Sequence, residues 1–424
     1  MKKFCIHTMG CKSNQFEGAV IAENLINNGM EQTQRLEEAD VFVLNSCTVT
    51  RKSDNEAFYL LRNAKNKNPG VVNVLTGCIA QIEKEKLLDN DFVDYVAGND
   101  EKLRLYDFLN SGLKCSAGNI AERNNFNETV LCGTAKTRAS IKIQDGCDNR
   151  CSYCIIPFAR GKSRSANAGF ILKQVNNFAA SGFKEVVFTG IHIGQWGKDI
   201  GSEFLDLLKL VETTAVERYR LGSLNPLEIS GEMLEFLAGS AKFCPHFHLS
   251  LQSACNRTLQ SMNRHYRVED YLEQIEKINE MFNLPFIGSD IITGFAGESE
   301  EDFEITRQNL ERSGLTQIHT FPYSVREGTV GAQMPGRLSD KVKEQRAKVV
   351  RAISARKHEE FIKKNIGAVH EVLIEKRPDK SGSLRGMTRN YLAVVLNSGG
   401  EANTLQRVKI AGYENGKIYG GRVE

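Results

Sequence analysis

The sequence predicts an α/β protein made of three successive parts: a doubly wound parallel α/β domain, a partial barrel of six β/α repeats, and a small all-β barrel. Three observations predict this. The chain has 424 residues, more than one hydrophobic core usually organises. β-rich runs alternate with helical periodicity over most of that length, which is typical of parallel sheets. Near the end, short β-rich runs separated by Gly, Asn and Asp favour a small barrel.

The first part, residues 1–113, contains three predicted strands that are each followed closely by a cysteine. The strands are Phe4–Thr8, Val41–Leu44 and Val71–Leu75, and the cysteines are Cys11, Cys47 and Cys78. Because the carboxyl ends of parallel strands meet at one edge of the sheet, where such folds bind ligands, we expect the three thiols to lie together. The alternative is that these dispersed cysteines are small buried hydrophobic residues.

The second part, residues 133–364, contains six further predicted strands, two fewer than a closed eightfold barrel needs. They are Ser140–Gln144, Glu185–Thr189, Tyr219–Leu221, His246–Leu251, Phe286–Ile292 and Gln317–Tyr323. A basic segment follows, because ten Lys/Arg stand against four Asp/Glu from Pro335 to Lys364. This segment either faces phosphate or is a solvated helix face.

The third part, residues 366–424, contains four predicted short strands in about 60 residues, which is typical of a small β-barrel. They are Glu371–Glu375, Leu392–Leu396, Gln406–Ile410 and Lys417–Gly420.

The composition is that of a globular cytoplasmic enzyme, with 41% hydrophobic and 25% charged residues. The sequence contains neither a signal-peptide core nor an apolar run long enough to span a membrane. Eleven cysteines in a reducing compartment indicate metal binding or catalysis rather than disulfides.

The strongest chemical signal is the spacing Cys147-x3-Cys151-x2-Cys154, which follows the first predicted strand of the partial barrel. Three thiolates on one short loop can bind three irons of a 4Fe-4S cluster, and the fourth iron then stays open to a cofactor or substrate. Structural zinc normally takes four protein ligands, and no fourth Cys or His lies close in sequence. The spacing therefore favours a catalytic cluster over zinc or a buried cysteine group.

The segment 143–161 around this spacing resembles the signature of the radical-SAM methylthiotransferases, and the resemblance extends over nearly the whole chain. Further segments similar to the family are 189–194, 248–253, 262–264, 290–294 and 321–329. The resemblance implies a radical-SAM barrel in which the open iron binds S-adenosylmethionine (SAM). It also implies reductive cleavage of that cofactor to methionine and a 5′-deoxyadenosyl radical.

The cofactors that the resemblance implies are two 4Fe-4S clusters and SAM, with two SAM molecules used per turnover. Cys147, Cys151 and Cys154 are then the ligands of the first cluster, and Cys11, Cys47 and Cys78 those of the second, which carries the sulfur to be inserted. Gln252, Ser253 and Arg264 are candidates for binding SAM, although each also fits a structural polar role. An electron donor such as a flavodoxin or ferredoxin is an expected partner.

The segment 386–391 resembles the signature of the TRAM domain, a small RNA-binding β-barrel. The resemblance implies that Arg385, Arg389 and Tyr391 bind RNA, through phosphate contacts and base stacking. The alternative is that Tyr391 is a core residue at the start of a strand. We expect tRNA to bind through its anticodon stem-loop, and we expect neither DNA nor a membrane as a partner.

The first loop, Met-Gly-Cys-Lys-Ser-Asn-Gln-Phe-Glu at 9–17, is similar to the family branch that acts on threonylcarbamoyladenosine in tRNA. The resemblance implies carbon-2 of that nucleoside, at position 37, as the acceptor. Its threonyl carboxylate needs a cation or hydrogen-bond donors, for which Arg160, Lys162 and Arg164 are candidates.

Four alternatives stay open. Within the family, the acceptor is isopentenyladenosine of tRNA or an aspartate of a ribosomal protein. Outside it, the chain is a radical-SAM enzyme that only methylates, or a non-catalytic RNA-binding protein held together by metal.

Overall fold

The computed structural model describes residues 1–131, 133, 136–378, 382–396 and 399–423, so Cys132 lies outside the described residues. The N-terminal part is a six-stranded parallel sheet with strand order β2-β1-β3-β4-β5-β6. Its elements are β1 (Lys3–Thr8), α1 (Lys12–Asn27), β2 (Glu31–Gln32), β3 (Val41–Ser46), α2 (Arg51–Lys67), β4 (Val72–Gly77), α3 (Cys78–Glu83), β5 (Tyr95–Ala97), α4 (Leu105–Leu109) and β6 (Cys115–Ser116).

Helices cover both faces of this sheet, as predicted. Along β3, Val41 and Val43 face the apolar cluster shared with α1 and α4. Phe42 and Leu44 face the opposite cluster, shared with α2 and α3. This alternation is what a strand buried on both sides requires. The order β2-β1-β3 places a topological switch between β1 and β3, the position where doubly wound folds bind ligands.

The central part is the predicted partial barrel, and its six principal strands are β7, β10, β11, β13, β14 and β15. Its elements are β7 (Ala139–Lys142), β8 (Gln144–Asp145), α5 (Ile156–Arg160), β9 (Arg164–Ser165), α6 (Ala168–Ala180), β10 (Glu185–Thr189), α7 (Phe204–Glu212), β11 (Arg218–Leu221), β12 (Ser223–Leu224), α8 (Gly231–Gly239), β13 (His246–Leu249), α9 (Asn256–Ser261), α10 (Val268–Met281), β14 (Phe286–Thr293), α11 (Glu300–Arg312), β15 (Gln317–Pro322) and α12 (Asp340–Asn365).

The barrel strands are parallel and form two sheets, β11-β10-β7 and β12-β13-β14-β15. An isolated β-bridge between Tyr219 of β11 and Phe243, just before β13, connects the two sheets. Along β10, Val186 and Phe188 join the main apolar core under the helices. Glu185 lies on the other side of the strand and pairs with Arg218 and Arg220 of β11, so the barrel interior contains buried charges.

The basic segment forms α12, and part of its charge stabilises the fold. Arg346 is buried and its Nη1 lies 2.5 Å from Oε1 of Glu298. The Nζ of Lys357, also buried, donates to the backbone carbonyls of Glu311 and Ser313. The helix is therefore neither a uniformly solvated face nor a continuous phosphate-binding surface.

The C-terminal part is a closed five-stranded barrel with strand order β16-β17-β18-β20-β19. Its strands are β16 (Val369–Ile374), β17 (Arg385–Thr388), β18 (Ala393–Leu396), β19 (Leu405–Glu414) and β20 (Lys417–Arg422). β17 was not predicted from the sequence. Among the described residues, no helix is long and apolar enough to cross a membrane.

Candidate active site between two cysteine triplets

The first triplet, Cys147, Cys151 and Cys154, lies on the loop between β8 and α5. Gly146 precedes it with φ of 73°, and a Cβ there would overlap the backbone of Lys162, so only glycine fits. The backbone N–H of Cys147 donates to the carbonyl of Gly161 at 3.1 Å, and that of Cys154 donates to the carbonyl of Cys151 at 3.0 Å. These bonds hold the loop in a tight turn, as its spacing predicted.

Two basic side chains contact this triplet. Nη1 of Arg264 lies 3.4 Å from the sulfur of Cys151, and Nδ1 of His192 lies 3.7 Å from that of Cys147. Nε2 of His192 lies 2.5 Å from Oε1 of Glu228. Burial alone would lower the pKa of His192, but its contacts with Cys147 and Glu228 raise that pKa to about 9. Basic groups therefore lie beside two of the three sulfurs, whereas burial raises the pKa of Cys154 to about 12.

The second triplet, Cys11, Cys47 and Cys78, lies at the carboxyl ends of the neighbouring strands β1, β3 and β4. Gly10 has φ of 82°, and a Cβ there would lie 2.7 Å from the sulfur of Cys47, so the loop of Cys11 passes directly over Cys47. Burial, followed by the charges of Cys78 and Cys11, raises the pKa of Cys47 to about 12. The strand ends therefore bring the three cysteines together, as expected.

The donor set of each triplet fits an iron-sulfur cluster with one open iron. Each offers three cysteine sulfurs, and the cysteines of the described residues are free thiols. The cysteines of each triplet act on each other electrostatically, which is consistent with their gathering around a shared site. Within the described part of the chain, no group of three or more His, Cys, Asp or Glu side chains is arranged to hold a metal ion, so the fit concerns the kind and number of donors in each triplet and not the distances between their sulfurs.

A cavity of about 330 Å³ lies between the two triplets, with Cys11 in one wall and Cys154 in another. Most of the lining is apolar or aromatic, and Gln252 and Asp290 contribute polar groups. The remaining lining residues are Val49, Thr50, Tyr153, Ile155, Ile156, Ile292, Phe321, Pro322, Tyr323 and Ser324. A largely apolar cavity with few polar groups is typical of a site for a cofactor and an organic substrate.

The three predicted SAM-binding residues differ in their positions, and of the three only Gln252 lines the cavity. Gln252 lines the cavity, with a left-handed backbone (φ of 71°) that is held by its N–H donating to the carbonyl of Asp290 at 2.8 Å. Arg264 lies beside Cys151. Ser253 differs, because its side chain is buried at 1% exposure and its hydroxyl lies 3.4 Å from that of Thr306, away from the cavity.

A buried charge network connects the two triplets. Glu17, one turn and a half beyond Cys11, accepts from both Nη1 (2.5 Å) and Nη2 (2.9 Å) of Arg160, which follows Cys154. Its carboxylate also pairs with Lys102 at 2.6 Å and Lys142 at 2.7 Å. Burial would raise the pKa of Glu17, but Arg160, Lys102 and Lys142 hold it well below its usual value. The network fixes the loops of the two triplets against each other.

The contacts of Arg160 and Arg164 bear on the prediction that these residues, with Lys162, bind the threonyl carboxylate. Arg160 is occupied by Glu17, and Arg164 is buried with Nη2 at 3.5 Å from Oδ2 of Asp145. Neither guanidinium is open to a ligand. Lys162 is exposed and does not line the cavity between the triplets.

The predicted RNA-binding residues all lie where the C-terminal barrel meets the central part, but they differ in their contacts. Arg389 donates to the carbonyls of Ala241 (2.7 Å) and Phe243 (2.6 Å), so its guanidinium binds the protein's own backbone. The ring of Tyr391 lies 4.2 Å from that of His246 and, like Arg385, lines a second cavity. Tyr391 has φ of 70° in the turn between β17 and β18, so it does not begin a strand.

Sequence reasoning missed several residues of the site. His192 and Asp290 lie within segments that resemble the family, at 189–194 and 290–294. Neither has a sequence spacing to other polar residues that would predict a place in the site. Glu228 had no signal at all, because it approaches His192 only through the fold. Glu17 lies in the first loop, whose sequence indicated the family branch but gave no signal that this carboxylate is buried among cations.

Comparison with known proteins identifies relatives over the whole chain. Family profiles match at residues 3–98, for the Uncharacterized protein family UPF0004, and at residues 141–310, for the Radical SAM superfamily. The threonylcarbamoyladenosine tRNA methylthiotransferase MtaB of Aquifex aeolicus is 37% identical, over 96% of this chain and 100% of the relative. MtaB of Bacillus subtilis is 33% identical, over 93% and 90%. The tRNA-2-methylthio-N(6)-dimethylallyladenosine synthase of Caldicellulosiruptor saccharolyticus is 34% identical, over 93% and 86%.

Solved structures share the fold at low identity. The radical S-adenosylmethionine methyltransferase TsrM of Kitasatospora setae aligns with a TM-score of 0.57 at 13% identity, over 76% of this chain and 72% of its own. The same enzyme with cobalamin and a 4Fe-4S cluster bound gives a TM-score of 0.54 at 12% identity, over 76% and 75%. At such identities the similarity concerns the fold alone.

Proposed function

The chain belongs to the radical-SAM methylthiotransferase family, and from that membership we propose that it converts N6-threonylcarbamoyladenosine at position 37 of tRNA into its 2-methylthio derivative. The reaction uses two SAM molecules and a sulfur donor. The names of the MtaB relatives and the first loop of this sequence support this substrate. Because dimethylallyladenosine synthases are also among the relatives, isopentenyladenosine is the second candidate substrate.

The single observation that carries the proposal is the cavity with a cysteine of each triplet in its walls. Cys147, Cys151 and Cys154 would hold one 4Fe-4S cluster, and Cys11, Cys47 and Cys78 a second one. Bound there, the clusters would supply the electron that cleaves SAM and the sulfur that is transferred. A methylthiolation needs both the electron and the sulfur, and this one cavity is lined by a cysteine of each triplet.

The chain's own residues orient the reactants and exclude water. Gln252 and Asp290, together with the hydroxyls of Thr50 and Ser324, offer polar contacts in a largely apolar cavity, which suits the amino and hydroxyl groups of SAM. Arg264 and His192 donate toward the thiolates of the first triplet. Ile292 and Tyr323 are among the apolar lining residues, which would keep water away from a reactive carbon radical.

We propose three domains: residues 1–113 for the second cluster, 133–364 as the radical-SAM core, and 366–424 as a TRAM-like RNA-binding barrel. tRNA is bound through its anticodon stem-loop, and a flavodoxin or ferredoxin supplies electrons. A tRNA substrate is consistent with a cytoplasmic enzyme.

The test compares anaerobically reconstituted wild type with the variant Cys11→Ala/Cys47→Ala/Cys78→Ala. We expect about eight irons per wild-type chain and about four per variant chain. We also expect the wild type to methylthiolate an anticodon stem-loop that carries threonylcarbamoyladenosine, and the variant to cleave SAM without that product. Equal iron in both proteins, or a wild type active only on isopentenyladenosine RNA, would overturn the proposal.

A further inference from the structure

A second cavity, of about 490 Å³, lies where α1, β7 and β10 meet the C-terminal barrel, and its lining is strongly basic. Six lining residues carry positive charge, against one carboxylate, Glu375. The six are Lys12, Lys136, Arg138, Lys376, Arg377 and Arg385. The cavity therefore favours an anionic ligand.

Some of these cations already have partners. Nε of Arg385 lies 2.6 Å from Oε2 of Glu375, Lys136 donates to the side chain of Gln15 at 2.6 Å, and the ammonium of Lys376 lies 4.1 Å from the centre of the Phe183 ring. Arg138 lies 4.0 Å from Oε1 of Glu185, and its guanidinium lies 6.0 Å from the centre of the Tyr391 ring. Glu185 is itself occupied by Arg218 and Arg220.

Lys12 stands out, because its ammonium makes no hydrogen bond or salt bridge with any residue that the structure describes. Lys136 and Arg138 lie in the same cavity wall as Lys12, so its charged neighbours there are cations. A partly buried cation surrounded by cations lacks the counter-charge that such a position needs. An anion in the cavity would supply it.

The position of Lys12 indicates which anion. Cys11 lines the cavity between the triplets and Lys12, the next residue, lines the basic cavity. Consecutive residues of one segment therefore line both cavities, and a base that presents carbon-2 at Cys11 can extend its N6 substituent toward Lys12.

We propose that Lys12, supported by Arg138, binds the carboxylate of the threonylcarbamoyl group and so selects this nucleoside over uncharged N6 substituents. This inference rests on the proposed function and deepens it. It assigns to Lys12 the role for which Arg160 and Arg164 are unsuited, because both are committed to buried carboxylates.

The test measures binding of fluorescent anticodon stem-loops to the reconstituted holoenzyme. Two RNAs differ only at the modified base, which carries either the free threonyl carboxylate or its methyl ester. Wild type is expected to bind the acid about tenfold more tightly than the ester, as a charge-assisted contact provides. Lys12→Gln is expected to bind both RNAs equally, at the affinity of the wild type for the ester, and Lys12→Arg to restore the preference.

The control variant is Lys162→Gln, which removes an exposed lysine that lines neither cavity. It is expected to keep the wild-type preference, and the iron content of every variant is measured to show that the clusters are intact. Equal weakening of acid and ester binding by Lys12→Gln would indicate a phosphate contact and overturn the inference. An unchanged preference in that variant would also overturn it. Failure of the proposed function is separately visible, as a wild type that does not methylthiolate the acid RNA.

Discussion

Glu185 shows how a single carboxylate stabilises the charged interior of the barrel. Its side chain is fully buried between Arg218, with Nη2 at 2.8 Å, and Arg220, with Nε at 3.1 Å. Burial alone would raise the pKa of Glu185, but Arg220 and Arg218 lower it from its usual 4.5 to about 2. Because the folded-state pKa is depressed, the stabilisation is complete above about pH 4.5 and is lost as the pH falls toward 2.

Replacing this carboxylate should destabilise the protein strongly. We expect Glu185→Gln to lower the free energy of unfolding by about 3–5 kcal/mol at pH 7, because buried Arg220 loses its paired carboxylate and buried Arg218 keeps the longer pair with Glu371, at 3.4 Å. The matched control is Glu217→Gln, which breaks the exposed pair with Lys184 and should cost less than about 1 kcal/mol. Urea unfolding followed by circular dichroism measures both. A loss in Glu185→Gln that persists undiminished at pH 2 would contradict the electrostatic explanation.

At the residue scale, the sequence predicted the cysteines well and the charged partners poorly. Cys147, Cys151 and Cys154 are recognisable because their spacing is local, and a short loop must gather them. Glu17 and Arg160 meet across 143 positions of the chain, and neither has a neighbour in sequence that requires the other. Long-range pairs of this kind become visible only when the fold is known.

At the scale of elements, the turn from β4 into α3 determines where Cys78 lies. Gly77 has φ of 92° and ψ of −154°, a conformation open essentially to glycine. A Cβ at Gly77 would overlap the backbone of Ser46 on the neighbouring strand. Any larger residue must therefore move the strand end that positions Cys78 beside Cys47.

Gly77→Ala is expected to impair the proposed second cluster while leaving the proposed first cluster intact. Iron should fall from about eight to about four per chain after anaerobic reconstitution. Gly29→Ala is the control, because Gly29 also has a positive φ, of 86°, but no atom lies within 4 Å of its added Cβ. That control should cost about 1–2 kcal/mol of stability and keep its iron. Full iron content in Gly77→Ala would show that Cys78 tolerates a displaced turn.

The elements that the sequence did not predict have identifiable physical causes. β17 contains Gly386, which normally argues against a strand interior. Here a Cβ at Gly386 would lie 2.6 Å from the carbonyl oxygen of Leu373, so the glycine permits close approach of β16 and β17. β2 and β6 have only two residues each, too few for a period-2 pattern. The longer strands were predicted because each carries an apolar run of its own.

At the scale of the whole molecule, the distance between the triplets depends on contacts between the N-terminal and central parts. Arg160 and Glu17 form one such contact. A second involves Arg326, after β15, whose Nη1 lies 2.5 Å from Oδ2 of Asp54 and whose Nη2 donates to the hydroxyl of Thr48 at 2.5 Å. Thr48 directly follows Cys47. The sequence predicted the three parts but not this docking, which rests on pairs far apart in the chain.

Arg326→Gln is expected to separate the two halves of the reaction. The variant loses the ion pair with Asp54 and the contact with Thr48, which loosens the second triplet relative to the cavity, whereas Cys147, Cys151 and Cys154 are untouched. Reconstituted enzyme should therefore form 5′-deoxyadenosine from SAM at the wild-type rate. It should yield severalfold less methylthio product per deoxyadenosine, because a displacement of about 1 Å between reacting groups lowers the rate strongly. Arg35→Gln, which breaks an exposed pair with Glu38 in the same part of the chain, should leave that ratio unchanged. If Arg326→Gln instead lowers both products in parallel, the arginine acts on SAM cleavage itself and not on the docking of the two parts.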